Sequence, residues 1–134
     1  MKIKIFCDSA DLEIIKKFNS NPLVSGFTTN PSLMRIAGAK HYKNYSKKLL
    51  DICKKKPISF EVFADSHNQM LKQANIISTW GKNVYVKIPV VNSKGKFSGK
   101  LIKILSEKGV KLNITAVYTV NQVKKIIKNL KKNS

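Results

Sequence analysis

A lysine set in an apolar, strand-like run is the residue of this sequence with the most chemical potential. It is Lys87, in Val84-Tyr85-Val86-Lys87-Ile88-Pro89-Val90. Strand alternation sends Val86 and Ile88 to one face and Tyr85 and Lys87 to the other. Apolar surroundings disfavour an ammonium, and the neutral amine is the form that attacks a carbonyl to give a Schiff base. The same residue type serves equally as an edge-strand lysine that discourages aggregation.

Two carboxylates and a set of hydroxyl and amide groups stand at comparable places. Asp8 follows Ile5-Phe6-Cys7, and Glu61 lies among Phe60, Val62 and Phe63. Thr28 and Asn30 close one short β-rich run, and Asn113 and Thr115 close another. Each has a local alternative: Asp8 as a helix cap, Glu61 as a solvent-facing strand residue, Asn30 as a turn residue before Pro31, Thr115 as an ordinary β-branched strand residue. Together they are what metal-free carbonyl chemistry requires. A lysine makes the iminium electron sink, a carboxylate moves the hydroxyl proton, and amides hold a polyol. Cys7 reads as a small buried hydrophobe, and His41 and His67 as ordinary surface or packing residues. The two cysteines cannot make a disulfide framework, and no Cys/His spacing suits zinc, so neither a metal nor a cofactor is expected.

These groups must be positioned by alternating strands and helices. Strands are expected at 3–7, 23–28, 57–63, 84–88 and 111–115. Helices are expected at 9–18 with Ser9 as N-cap, at 32–37 after Pro31 in the first turn, and at 41–55, 66–80, 98–108 and 120–132. Five βα units argue for a parallel sheet covered by helices. The candidates for chemistry then fall at the C-terminal ends of all five strands, where both doubly wound sheets and (β/α)₈ barrels gather functional groups. Length alone favours the doubly wound sheet, since a complete barrel takes about 250 residues.

With 134 residues, 43% hydrophobic and 8% aromatic, the chain has the size and apolar content of one domain with a real core, and no internal boundary is legible. Its 26 basic and 7 acidic residues give a net charge of +19. Arg35 is the lone arginine, and arginine is the preferred residue for bidentate phosphate and guanine contacts. The charge is therefore read as a lysine-rich surface, not as a specific nucleic-acid site. No apolar run reaches ~18 residues, and the N-terminus lacks a signal-peptide pattern, so a cytoplasmic, membrane-free protein is expected.

The motifs Phe6-Cys7-Asp8-Ser9-Ala10-Asp11, Gly26-Phe27-Thr28-Thr29-Asn30-Pro31-Ser32-Leu33, Ile58-Ser59-Phe60-Glu61-Val62-Phe63, Val84-Tyr85-Val86-Lys87-Ile88-Pro89 and Leu112-Asn113-Ile114-Thr115-Ala116 resemble, in order and spacing, successive motifs of the transaldolase family. The resemblance is to short-chain transaldolases, close relatives of fructose-6-phosphate aldolase. It implies an α/β fold that is a partial TIM (β/α)₈ barrel, with about five βα units of eight. It implies a class I enzyme of the pentose phosphate pathway that moves a dihydroxyacetone unit between sugar phosphates. By motif, Lys87 is the Schiff-base lysine, and Asp8 takes the donor hydroxyl proton. Glu61 and Thr115 hold the proton-shuttling water, and Thr28, Asn30 and Asn113 bind substrate hydroxyls or support that network. Glutamine is typical of the aldolase relatives at the Glu61 position, so transaldolase is the better match.

The family continues through strands six to eight, which bring serine and arginine groups to the sugar phosphate. Arg35 does not match that arginine by position. Residues 1–134 are thus expected to be a C-terminally truncated barrel domain with open edges, completed by a further segment or associating as a homo-oligomer. Two other readings compete. A receiver-like signalling module also has five βα units, but it places its hydroxyl after strand four and its lysine after strand five, the reverse of this order. A non-catalytic basic fragment binding polyanions is the other.

Overall fold

A computed structural model of the chain describes residues 3–131. Five strands form a sheet in the order β1-β2-β3-β4-β5: β1 (Ile5–Asp8), β2 (Val24–Thr28), β3 (Ile58–Glu61), β4 (Val84–Pro89) and β5 (Leu112–Thr115). The β1–β2, β2–β3 and β4–β5 pairs are parallel. Each strand lies beside its neighbour in sequence, without the reversal of order that marks a doubly wound sheet. This order, with helices between the strands, is that of a partial (β/α)₈ barrel, which decides between the two architectures that the βα count left open.

The chain divides into two compact units. One comprises the segment up to Glu61 together with Trp80–Val84; the other comprises Val62–Thr79 and the segment from Tyr85 onward. In the first, α1 (Leu12–Asn19) and α2 (Pro31–Ile36) pack against α3 (Tyr42–Ile52). Ile15, Phe27, Leu49, Ile58 and Phe60 are fully buried there. Gly26 in β2 is required by space: a Cβ would come within 2.6 Å of the Phe6 ring and of the Pro57 carbonyl. In the second unit, α5 (Gly99–Glu107) packs against α4 (His67–Ser78), α6 (Val120–Ile127) and β5. Val90, Ile102 and Ile126 centre its core, with Phe97, Leu112 and Ile114 packed on them.

All eleven elements stand where the hydrophobic pattern puts them, with differences at the ends. The first helix is capped by Asp11, whose side chain accepts from Ile14 N, and not by Ser9; the Ser9 hydroxyl instead accepts from the Asp11 amide at 3.1 Å. The extended conformation of Asp11 delays helix entry by two residues and removes Asp8 from any capping role. The last helix ends at Ile127, with its cap at Lys128; the expected end at Lys132 lies outside the described residues. Its start is a capping box, in which Gln122 N donates to the Thr119 hydroxyl and the Thr119 and Tyr118 amides donate to Gln122 Oε1.

Candidate active site

In the first unit the register aligns the candidates on one face. Asp8 pairs with Thr28, and Thr28 with Ser59. Parallel neighbours at one register point the same way, and every second residue returns to that face. Asp8, Thr28 and Glu61 therefore share a face, and Asn30, in extended backbone (φ −152, ψ 165), continues it beyond β2. Phe27, Ile58 and Phe60 alternate to the opposite, buried face.

Asp8 is exposed at the end of β1, and the Thr28 hydroxyl donates to its Oδ1 at 2.7 Å. Asn30 is the N-cap of α2, with Oδ1 accepting from Leu33 N at 2.8 Å and Pro31 in the first turn, so the turn-residue reading of Asn30 is realised as a helix cap. Oδ1 is engaged in that cap, so the Nδ2 amide is the donor group of this side chain. Glu61 is half-buried at the end of β3, and its main-chain carbonyl accepts from the Tyr42 hydroxyl at 2.9 Å. Tyr42 is a residue the motif reading does not reach. Its ring lies 6.0 Å from that of Trp80, and burial pushes its phenol well above the ordinary range, with the Glu61 charge adding to the effect.

Strand β4, which belongs to the second unit from Tyr85 onward, alternates as its sequence predicts. Val84, Val86, Ile88 and Val90 are buried, whereas Tyr85 and Lys87 are half-buried on the other face. Lys87 pairs with Asn113, and Pro89 with Thr115. The Val86 amide bonds Lys111 O at 2.8 Å, and the Val90 amide bonds Thr115 O at 3.0 Å. Lys87, Asn113 and Thr115 thus occupy one face of the β4–β5 pair. Directly after Thr115, Ala116 takes φ +58, the one left-handed non-glycine conformation among the described residues. The chain turns there from β5 toward the Thr119–Gln122 capping box.

Four candidates therefore share a face in the first unit and three in the second. Cys7 and Cys53 are free thiols, Cys53 buried with Sγ 3.2 Å from Lys56 O. His67 has an unforeseen role: its Nε2 lies 3.3 Å from the hydroxyl of Ser98, and that hydroxyl bonds Pro89 O at 2.7 Å. The link ties the start of α4 to the start of α5. No helix among the described residues is long and apolar enough to cross a membrane.

Parallel strands in sequential order with helices between them define an α/β fold of the barrel type. Comparison with known proteins is specific. Residues 5–133 match the Transaldolase/Fructose-6-phosphate aldolase family, and the chain belongs to it. It is 38% identical over 120 residues to a probable transaldolase of Dehalococcoides mccartyi, covering 90% of this chain and 54% of that protein. A probable transaldolase of Methanococcus vannielii is 38% identical over 122 residues, covering 90% and 53%. One of Herpetosiphon aurantiacus is 32% identical over 120 residues, covering 90% and 52%. The chain spans about half the length of the curated relatives it matches.

Proposed function

We propose that this chain carries the covalent and proton-transfer groups of a class I transaldolase. The reaction is transfer of a dihydroxyacetone unit from a ketose phosphate to an aldose phosphate, within the pentose phosphate pathway and in the cytoplasm. The observation that carries the reading is Lys87 itself: half-buried on an apolar strand, paired with Asn113, in a chain of this family.

The Lys87 amine adds to the ketose carbonyl to form a carbinolamine, which loses water to give the iminium. Glu61 and Thr115 hold the water that carries protons through those steps. Asp8 accepts the proton of the donor C4 hydroxyl as the C3–C4 bond breaks; the aldose leaves, and the electron pair of the bond is stored as an enamine on Lys87. The enamine carbon then attacks the aldehyde of the acceptor, whose oxygen takes up the proton, and hydrolysis of the new iminium frees the amine. Thr28, Asn30 and Asn113 bind sugar hydroxyls. Glu61 in place of glutamine favours transfer over simple aldol cleavage.

The relatives' second half is the proposed source of the phosphate grip. An apolar stripe on α6, Val120, Val123 and Ile127, is exposed and supports packing against a further segment. By themselves the 134 residues are proposed to retain less than about one-hundredth of a complete family member's activity, through loss of charge-assisted phosphate contacts. Fusing the remaining strands of a relative, to give a completed chain, should restore it. Borohydride trapping with fructose 6-phosphate tests the reading: one reduced adduct, on Lys87, supports it, and none in either the chain or the completed chain removes it.

A further inference from the structure

The end of β3 is completed by a side chain in place of a strand. Along the β2–β3 ladder, Phe27 N donates to Pro57 O at 2.8 Å and Thr29 N donates to Ser59 O at 3.1 Å. A parallel ladder advances two residues at a time, so the next acceptor is Glu61 O and the next donor would be residue 31. Residue 31 is Pro31, which has no N–H and already belongs to the first turn of α2. The hydroxyl of Tyr42, the first residue of α3, fills that place, donating to Glu61 O at 2.9 Å.

The donor is held firmly. The Tyr42 ring lies 6.0 Å from Trp80, and Trp80 meets Phe60 edge-on at 5.7 Å. One step earlier, the buried Thr29 hydroxyl also bonds Ser59 O, at 2.8 Å. Two hydroxyls thus secure two successive acceptors of β3 where the neighbouring backbone turns away. Burial of the phenol keeps it protonated and able to donate.

We propose that Tyr42 is a positioning residue for Glu61: its hydroxyl supplies the ladder donor that Pro31 cannot, and so fixes the last residue of β3 and the direction in which the Glu61 carboxylate leaves it. The inference deepens the reading of Glu61 as a proton carrier in the imine steps and rests on it.

The test is Tyr42→Phe, which keeps the ring and removes the donor, alone and combined with Glu61→Gln. Emission from Trp80, the lone tryptophan, checks that the aromatic packing is retained. Amide exchange read at Val62, next to Glu61, should accelerate about fivefold, the factor expected for one lost hydrogen bond, while the Thr29 amide one step earlier stays unchanged. The rate of borohydride-trapped adduct formation on Lys87 with fructose 6-phosphate should fall about fivefold when Glu61 is present and less than about twofold in the Glu61→Gln background. A purely structural role would give the same factor in both backgrounds, and that result overturns the proposal. Unchanged exchange at Val62 overturns it as well. Absence of any Lys87 adduct in both the unsubstituted chain and the completed chain defeats the reading of the chemistry instead, and the exchange measurement then still decides whether Tyr42 fixes the strand end.

Discussion

The Thr28 hydroxyl donates to Asp8 Oδ1 at 2.7 Å, across a register in which the two residues face each other at the ends of adjacent parallel strands. Under the proposed role of Asp8 as acceptor of the donor hydroxyl proton, the direction of its carboxylate matters, and the Thr28 hydroxyl holds it. In the completed chain, Thr28→Val should slow carbon–carbon cleavage about tenfold and leave the rate of borohydride trapping within about twofold, because imine formation is not assigned to Asp8. Single-turnover measurements separate the two steps. Equal slowing of both would show that Thr28 acts elsewhere.

The two acids are expected to fail differently. Asp8→Asn in the completed chain should depress cleavage about 10²–10⁴-fold and spare the imine steps, whereas Glu61→Gln should impair imine formation and shift the product balance toward simple aldol cleavage. Pre-steady-state trapping and product analysis distinguish them. Rates within a few-fold of the parent for both variants would show that the roles are misassigned.

Two small residues should answer oppositely to substitution. Gly26→Ala drives a Cβ against the Pro57 carbonyl and the Phe6 ring, and a backbone contact cannot yield as a flexible side chain can. A loss of about 1–3 kcal/mol is expected from such overpacking. Ala116→Gly removes a left-handed penalty of roughly 1–2 kcal/mol at a cost of about 0.5–1 in chain entropy, so it should be neutral or slightly stabilising. Urea denaturation of both variants is the check, and marked destabilisation by Ala116→Gly would contradict the strain at that turn.

Cys53 gives the fold an alkaline limit. Burial pushes its thiol up to about 11, against the opposing pull of the nearby Lys56 charge. An unfolded cysteine titrates near ~8.5, so between that value and about 11 the unfolded chain has given up the proton that the folded chain keeps. The contribution is whole below ~8.5 and is lost as pH rises through the window. Cys53→Ala should flatten the fall in stability there, as followed by urea midpoints at stepped pH; an unchanged slope would mean that another group is responsible.

Much of this organisation is written locally, in hydrophobic period and turn residues. The alternation around Lys87 gives β4 and the face its side chain takes, and Asn30-Pro31 marks the entry to α2. Competing local signals blur the ends: Ser9 and Asp11 both suit a cap, and only the backbone at Asp11 decides between them. The Thr28–Asp8 bond needs the β1–β2 register, which no single stretch of sequence contains. Tyr42 is hidden for the same reason. Its meaning comes from a missing N–H at Pro31 and an acceptor at Glu61, brought together by tertiary structure.

The most direct measurement is the mass of the adduct left by borohydride reduction in the presence of fructose 6-phosphate, mapped by peptide sequencing in the chain and in its Lys87→Arg variant. A single reduced sugar on Lys87 that disappears with the substitution is the predicted result, since arginine stays protonated and cannot form the imine. Label scattered over many lysines and indifferent to Lys87→Arg would contradict the account.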